Sequence, residues 1–279
     1  MTHKRVAAIH DISCFGRCSL TVALPILSAA GIETAVIPTA VLSTHTGGFS
    51  EYTFRELTSD ILPVANHWVK EDIKVDAVYS GYLASKEQVE IVLEAIDLIK
   101  KENALIIVDP AMADNGILYG GFEADFPKEM LKLCKTADVL VPNITEAAML
   151  LDVPYKEGPY TKEYIQSILE GLYEITGAKI VLTGVWFDDH SLGAAIFENN
   201  TVNYVFSEKI NKSYHGTGDV FASALVSAII NEKDLILAAK IAVNFTCNCI
   251  KHTTKLQPDD NYGVCFEKEI PNLIKVLGL

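Results

Sequence analysis

The chain has few basic residues for its size. Of its 279 residues, 23 are Lys or Arg and 36 are Asp or Glu, so the formal net charge at pH 7 is −13. Proteins that bind nucleic acids contact the phosphate backbone with Lys and Arg, so we do not expect a nucleic-acid partner. A site for a small phosphorylated ligand must instead be local, built from backbone amides, a metal ion or a few basic side chains.

Cysteines are few, and no long apolar run is uninterrupted. The six cysteines are too scattered for a disulfide scaffold and do not have zinc-knuckle spacing, which predicts reduced thiols. The longest apolar stretch, residues 19–42, is interrupted by Pro25, Gly31, Glu33 and Pro38, so it is not a membrane span. The first ten residues are too poor in apolar side chains for a secretory signal. We therefore expect a cytoplasmic protein with no membrane partner.

Short apolar runs alternate with amphipathic stretches along most of the chain. The runs predict buried strands at residues 6–10, 34–38, 77–80, 104–108, 139–141 and 179–183. The stretches predict helices at residues 19–30, 54–70, 86–101, 128–136, 145–151 and 162–176. A hairpin at 191–197 and 201–206 and helices at 218–230, 233–252 and 268–277 follow. The pattern predicts an α/β fold with a central, mostly parallel sheet and helices on both faces. We expect one domain over residues 1–279.

The most informative motif is His215-Gly-Thr-Gly-Asp219, which precedes an apolar run. Glycines followed by a helix leave backbone N–H groups free to bind an anion. Asp219 in the first turn is also explained by the helix dipole. Because the helix is apolar on all sides, however, we expect it to be buried with Asp219 facing a cleft. An anion hole beside a carboxylate suits phosphoryl transfer, in which the carboxylate takes a hydroxyl proton.

Two further motifs follow predicted strands, where parallel sheets bind ligands. Asn143 and Glu146 have capping-box spacing, which explains the pair fully, but they could also hold hydrated Mg²⁺ near ATP phosphates. Asp109 and Asp114 suit metal or phosphate binding, although an Asx-turn and a solvated loop explain them equally well.

The first strand is followed by residues 10–16, which contain neither the Gly-x-Gly-x-x-Gly nor the Walker pattern. This argues against a dinucleotide-binding or P-loop site. Asp11 in this turn is placed to hydrogen-bond a small polar substrate. The loop at residues 41–48 is polar and ends in glycines, so it could cover a ligand as a lid, and we expect its His45 to be structural.

Together these motifs resemble the ribokinase-like superfamily, specifically its vitamin B6 kinases. The segment from Ala8 to Thr21, the loop Ser-Thr-His-Thr-Gly, Asp109-Pro-x-Met, Pro-Asn-x-Thr-Glu and Gly-Thr-Gly-Asp occur in the family's order. The resemblance implies a ribokinase-like fold with a small lid, and a homodimer. It implies ATP and Mg²⁺, often with a monovalent cation such as K⁺, and phosphorylation of the 5′-hydroxymethyl group of pyridoxal, pyridoxine or pyridoxamine.

The resemblance also implies roles for individual residues. Asp219 matches the general base, and Gly216, Thr217 and Gly218 match the anion hole. The positions matching nucleotide and phosphate contacts are Asp109, Asp114, Asn143, Glu146, Thr183, Thr217 and Gly218, with Asp109 and Glu146 at the metal. The positions matching contacts to the pyridine substrate are Asp11, Thr46, Tyr82 and Asp219.

The chain departs from this family at two positions. Ala113 stands where many relatives have Gly, and Asp11 stands where several pyridoxal kinases have Ser. A carboxylate at position 11 could pair with a substrate amine or with the ring hydroxyl.

Two other functions are compatible with the sequence. The first is a hydroxymethylpyrimidine kinase or a kinase accepting both rings, although those relatives typically have Cys where this chain has Asp219. The second is a non-catalytic protein that binds pyridoxal 5′-phosphate, which would not need to keep Asp219, the glycines and the pair Asn143 and Glu146 together.

Overall fold

The strands alternate with helices along most of the chain. The computed structural model describes residues 4–256 and 262–279. Residues 1–3, which belong to the segment considered as a secretory signal, lie outside it. The strands are β1 (Arg5–Ser13), β2 (Glu33–Leu42), β3 (Phe54–Glu56), β4 (Val75–Ser80), β5 (Lys100–Val108), β6 (Ala113–Asp114), β7 (Ile117–Leu118), β8 (Val139–Leu140), β9 (Lys179–Asp188), β10 (Ser191–Glu198) and β11 (Thr201–Glu208).

A helix lies in each region for which the sequence predicts one, although several ends differ from the predicted ranges. They are α1 (Leu20–Ala29), α2 (Thr58–Lys70), α3 (Lys86–Ile99), α4 (Phe126–Cys134), α5 (Ile144–Leu150), α6 (Lys162–Thr176), α7 (Thr217–Ile230), α8 (Leu235–Leu256) and α9 (Ile270–Leu277). Ser85 and Thr161 cap α3 and α6 by accepting backbone N–H bonds, and Gly177 ends α6 in the left-handed conformation. Within the described residues, no helix is both long and apolar enough to span a membrane.

A nine-stranded sheet forms the centre of the molecule, with the order β11-β10-β9-β8-β5-β4-β1-β2-β3. The strands from β9 to β2 are parallel to one another, whereas β3, β10 and β11 pair in the antiparallel sense. At one edge β3 pairs with the end of β2, and β6 and β7 form a separate two-stranded hairpin. The predicted α/β fold with a mostly parallel sheet is therefore confirmed.

Helices cover both faces of this sheet. The apolar side chains of α1, α7, α8 and α9 form one core with alternate strand residues such as Val6 and Ala77. The remaining helices, α2 to α6, form a second core with the intervening strand residues, such as Ala7 and Val78. Because successive side chains of a strand point to opposite faces, a strand covered on both sides is apolar throughout. This explains why residues 6–9 are all fully buried.

The helix α7, which contains Asp219 in its first turn, is deeply buried. Every residue from Val220 to Ala228 is buried, and α7 packs against both α1 and α8. The prediction that the apolar run after Asp219 forms a buried helix is confirmed.

The structure differs from the sequence prediction at several places, of which three are near the site or the sheet edge. Residues 54–56 form the strand β3 instead of the start of a helix, because the end of β2 offers them a hydrogen-bonding partner. The short hairpin β6–β7 was predicted as loop. Strand β9 continues beyond Thr183 to Asp188 because β10 pairs alongside it.

The hairpin β10–β11 requires a glycine at position 193. A Cβ atom on Gly193 would collide with the backbone carbonyl oxygen of Val205. We therefore expect Gly193→Ala to lower the free energy of unfolding by about 1–3 kcal/mol, as overpacking against backbone does. Gly120→Ala is the matched control, because a Cβ atom there meets no atom within 4 Å. Urea denaturation of both variants checks this, and equal midpoints would contradict it.

Candidate active site

The candidate site lies where the strand order reverses. Strands β1 and β4 are neighbours, with β2 on one side and β5 and β8 on the other. Open parallel sheets bind ligands beyond the carboxyl ends of their strands at such a switch point. Asp11 lies near the carboxyl end of β1, Tyr82 follows β4 and Asp109 follows β5. The fold thus gathers residues that are far apart in the sequence.

Asp219 lies in the first turn of α7, directly after the glycine loop. Gly216 has a φ of 74°, and a Cβ atom there would collide with the carbonyl oxygen of Arg17, so only glycine permits this close approach. Among the described residues, no side chain caps this helix start. The first N–H groups of α7, from Thr217 through Gly218, are therefore available to a ligand. The loop has the geometry that an anion hole requires.

Four carboxylates crowd together at this point. Burial, with a contribution from the charge of Asp11, raises the pKa of Asp219 to about 7, and the N–H of Ser19 acts in the opposite direction. Burial and the charges of Glu146 and Asp219 raise the pKa of Asp109 well above its usual range. None of the ion pairs within residues 4–256 and 262–279 joins these four carboxylates to a Lys or Arg. The site therefore concentrates acidic groups that no described Lys or Arg neutralises.

Asn143 and Glu146 form a complete capping box at the start of α5. The Asn143 side chain accepts the N–H of Glu146 at 2.9 Å, and the Glu146 carboxylate accepts the N–H of Asn143 at 2.8 Å. The other Glu146 oxygen accepts the N–H of Met112 at 3.1 Å. The structural explanation of this motif is therefore correct. Glu146 nevertheless faces the site as well, because its charge raises the pKa of Asp109.

Asp109 and Asp114 have different surroundings. Asp109 lies inside the site, whereas Asp114 is exposed on the hairpin β6–β7 and accepts the backbone N–H of Asn115 at 2.8 Å. Asp114 is still close enough to Glu146 for its charge to contribute to the raised pKa of that residue. Ala113, the departure from glycine, is buried in β6, and its carbonyl accepts the Asn143 side-chain N–H at 2.8 Å.

Thr183 lies beside this capping box. Its N–H and its hydroxyl both donate to the carbonyl of Pro142, at 2.9 and 3.3 Å, and Thr183 and Asn143 form an isolated parallel bridge. Asn143, Glu146, Thr183 and Asp109 thus line one side of the site.

The predicted pyridine-side residues lie on the other side. Tyr82 is half-buried, and the charge of Asp11 contributes to its raised pKa. Thr46 is exposed in the loop between β2 and β3, next to the buried His45. His45 accepts the N–H of Gly47 at 3.2 Å and lies 5.3 Å from the ring of His215, measured between ring centroids. His45 therefore holds the loop against the start of α7, and its expected structural role is confirmed.

Sequence reasoning missed Ser19. A serine directly before a helix signals an N-cap, but Ser19 makes no side-chain cap bond. Its backbone has a φ of 53°, which is strained for a residue with a side chain. Its hydroxyl is directed to Asp11 and its N–H to Asp219, and these contacts lower the pKa of each carboxyl. Only the folded chain, which brings α1 and α7 together, reveals this role.

The described residues contain no group of three or more His, Cys, Asp or Glu side chains arranged to hold a metal ion. The expected metal residues, Asp109 and Glu146, are thus a pair of carboxylates and not a closed coordination shell. Cys14, Cys18, Cys134, Cys247 and Cys249 are free thiols, as expected, and Cys14 and Cys18 lie in the loop beside the site.

Comparison with known proteins identifies the family. Residues 24–264 match the profile described as phosphomethylpyrimidine kinase. The chain belongs to the phosphomethylpyrimidine kinase family. Within this family it resembles the hydroxymethylpyrimidine/phosphomethylpyrimidine kinase of Aquifex aeolicus, with 26% identity over 207 residues, 71% of this chain and 78% of that protein.

Solved structures of related kinases share the whole fold. A candidate phosphomethylpyrimidine kinase from Bacteroides thetaiotaomicron, crystallised with pyridoxal, is 35% identical and superposes with a TM-score of 0.92 over 98% of this chain and 96% of that one. The pyridoxal kinase of Lactobacillus plantarum is 28% identical, with a TM-score of 0.90 over 99% and 98% of the two chains. The expected relation to vitamin B6 kinases of the ribokinase-like superfamily is confirmed, and the chain is a kinase of the pyridoxal and hydroxymethylpyrimidine kinase group.

Substitutions of the two glycines before Asp219 test the close packing of this loop in the phosphomethylpyrimidine kinase family member. Gly216→Ala should lower the free energy of unfolding by about 1–3 kcal/mol, because it adds a side chain in a strained conformation against Arg17. Gly218→Ala meets no atom within 4 Å, so its stability should stay within about 0.5 kcal/mol of wild type. Urea denaturation measures both. Equal stability of the two variants would contradict the proposed packing.

Proposed function

We propose that this protein transfers the γ-phosphoryl group of ATP to the 5′-hydroxymethyl group of a vitamin B6 vitamer, forming pyridoxal 5′-phosphate or its pyridoxine or pyridoxamine analogue. Asp219 is the general base, and the N–H groups of Gly216, Thr217 and Gly218 form the anion hole for the transferring group. The observation that carries this proposal is the placement of Asp219 at the uncapped N-terminus of a buried helix, with a pKa raised to about 7. A carboxyl with such a pKa is about half ionised at neutral pH, and its ionised form is basic enough to take a hydroxyl proton.

The nucleotide lies on the side of the site formed by Asn143, Thr183, Asp109 and Asp114 in this proposal. Asp109 and Glu146 would hold the Mg²⁺ that accompanies ATP. Oxygen donors suit Mg²⁺, and the half-buried Asp109 and the buried Glu146, whose charges repel and which form no ion pair with a described Lys or Arg, fit a divalent cation. Bound there, Mg²⁺ would neutralise charge on the phosphate oxygens. Glu146 would act mainly through its charge, because both of its oxygens already accept backbone N–H groups.

The vitamer lies on the opposite side, against Asp11, Tyr82 and Thr46. The loop between β2 and β3 would cover it and exclude water during the transfer. We also propose that the protein works in the cytoplasm as a homodimer and that a monovalent cation such as K⁺ assists ATP binding.

The second candidate function is phosphorylation of hydroxymethylpyrimidine. The family profile and the relative from Aquifex aeolicus favour it. The Bacteroides thetaiotaomicron protein carries the pyrimidine description and was nevertheless crystallised with pyridoxal, so the family description does not decide the ring. We favour the pyridine because this chain has Asp219 where hydroxymethylpyrimidine kinases typically have Cys. A non-catalytic binder is disfavoured because the glycine loop, Asp219 and the phosphate-side carboxylates are all present.

The substrate is tested by ADP release from the purified protein with Mg·ATP. Pyridoxal, pyridoxine, pyridoxamine and hydroxymethylpyrimidine are compared side by side. We expect turnover with the pyridines. Turnover mainly with the pyrimidine would establish the second candidate, and ligand-dependent thermal stabilisation without ADP would indicate a binder.

Asp219→Asn tests the general base. Loss of a general base lowers kcat by about 10²–10⁴-fold, while the ATP dissociation constant should change little. The variant should also be at least as stable as wild type at pH 8, since it removes a buried charge. ADP release, ATP titration and thermal unfolding measure these effects. A variant with kcat within threefold of wild type would rule out this role for Asp219.

The pH dependence follows from the same carboxyl. Because Asp219 must be ionised to act as a base, kcat/KM should fall about tenfold per pH unit below its pKa of about 7. The free energy of unfolding should change in the opposite direction and decrease as pH rises. The folded protein keeps this proton to a higher pH than the unfolded chain, so the contribution of Asp219 to stability declines as pH rises from 3.8 to about 7. In Asp219→Asn, which serves as the control, the fall of kcat/KM should disappear and the decline of stability should be smaller, because Asp109 and Glu146 keep raised pKa values.

A further inference from the structure

Asp11 has a buried oxygen atom that the protein leaves without a partner. The side chain is only 4% exposed. Its Oδ2 accepts the Ser13 hydroxyl at 3.4 Å, but within the described residues Oδ1 has no hydrogen-bond partner. Buried polar atoms are nearly always hydrogen-bonded, so an unpaired one needs an explanation, of which a functional role is one. The pairing of β1 with β2 shifts register between His10 and Ile12, and such irregularities redirect the side chain they contain.

Asp11 makes no ion pair with any residue that the structure describes. Burial raises the pKa of Asp219, Tyr82 and Cys18, and the charge of the Asp11 carboxylate adds to each shift. Burial raises the pKa of Asp11 itself, and the hydroxyl groups of Ser19 and Ser13 act in the opposite direction. A buried carboxylate with hydroxyl partners alone gains strongly when a ligand supplies a cation.

Ser19 holds Asp11 and Asp219 next to each other. A backbone bridge between Ile12 and Ser19 places Ser19 at the end of β1, and Cys18 lies against the Gly216 loop. Ser19 directs its hydroxyl to one carboxylate and its N–H to the other while its backbone has a φ of 53°. Strain of this kind persists where the surrounding structure imposes it and is concentrated at functional sites.

The chemistry of the B6 vitamers indicates what the adjacent carboxylates Asp11 and Asp219 could bind. The vitamers share the pyridine ring, the ring hydroxyl and the 5′-hydroxymethyl group. They differ only in the substituent beside that group, which is an aldehyde, a hydroxymethyl or a protonated aminomethyl. When Asp219 faces the reacting hydroxymethyl group, the neighbouring carboxylate faces the neighbouring substituent.

We infer that Asp11 is a specificity-determining residue that selects the vitamer with the protonated aminomethyl group, pyridoxamine, over pyridoxine and pyridoxal. The inference rests on the proposed function for the pose of the ring. The ammonium donates to Asp11 Oδ1 and supplies the missing positive charge. The alternative partner of Asp11, the ring hydroxyl, is common to all three vitamers and would confer no selectivity.

The test compares kcat/KM for the three vitamers in wild type, Asp11→Asn and Asp11→Ser. Measurements are made at pH 8, where Asp219 is ionised and an aliphatic amine is still protonated. Wild type should prefer pyridoxamine. Both variants should lose about 10- to 100-fold on pyridoxamine, as expected for a charge-assisted hydrogen bond, and less than about threefold on pyridoxine. Asp97→Asn is the control, since it removes an exposed carboxylate that pairs only with Lys100.

Other outcomes would overturn the inference. An equal loss of kcat/KM on all three vitamers would assign Asp11 to the ring hydroxyl. Unchanged kcat/KM values for all three would show that Asp11 does not contact the substrate. Using Asp11→Ser beside Asp11→Asn keeps the test valid if one variant folds poorly.

Calorimetric binding of pyridoxamine and pyridoxine without ATP separates this inference from the proposed function. Tighter binding of pyridoxamine that is lost in Asp11→Asn supports the inference even if no vitamer is turned over. Equal binding of the two vitamers to wild type, or no binding of either, overturns it even if phosphorylation is observed.

Discussion

The burial of α7 is the constraint on which the site depends. Its apolar residues are enclosed by α1, α8 and the sheet, so the helix cannot shift without exposing them to water. This pins its N-terminus, with the free N–H groups and Asp219, at the carboxyl edge of the strands. Gly216 then lets the preceding loop lie against the Arg17 carbonyl, which brings the first βα turn into the same site. The apolar packing of α7 thereby fixes the position of the ionisable Asp219 side chain.

The same packing forces carboxylates together without basic partners. Burial and mutual repulsion raise the pKa of Asp219, Asp109 and Glu146, which means that their ionised forms are disfavoured in the free protein. A protein under selection for stability alone would gain by pairing or removing such groups. The arrangement makes physical sense for a protein whose ligands bring positive charge with them. The sheet and its two apolar cores supply the stability that this site does not.

Several residues at the site have a structural and an electrostatic role at once. The capping box of Asn143 and Glu146 starts α5, ties α5 to the backbone at Met112 and also places a negative charge beside Asp109. Ser19 stands at the start of α1 while its polar groups face Asp11 and Asp219. The two explanations of such a motif do not compete, because a backbone bond occupies only part of the hydrogen-bonding capacity of a carboxylate or hydroxyl.

Much of the fold and part of the site follow from the sequence alone. Local periodicity determines the buried parallel strands, the covering helices and the buried α7, because each strand or helix must match the polarity of the layer around it. The glycines before Asp219 and the spacing of Asn143 and Glu146 likewise act through neighbours in the chain. The expected site residues on β1 and α7, and those that follow β5 and β8, could be named for this reason.

Only the tertiary structure decided how these residues meet. Strand β3 formed where the sequence predicted helix, because its partner β2 lies across a loop. The unpaired oxygen of Asp11, the strained Ser19 and the repulsion between Asp109 and Glu146 depend on contacts between distant segments. The burial of a side chain and the charge around it depend on every residue packed against it. Most of those residues are distant in the sequence, so no local sequence pattern predicts them.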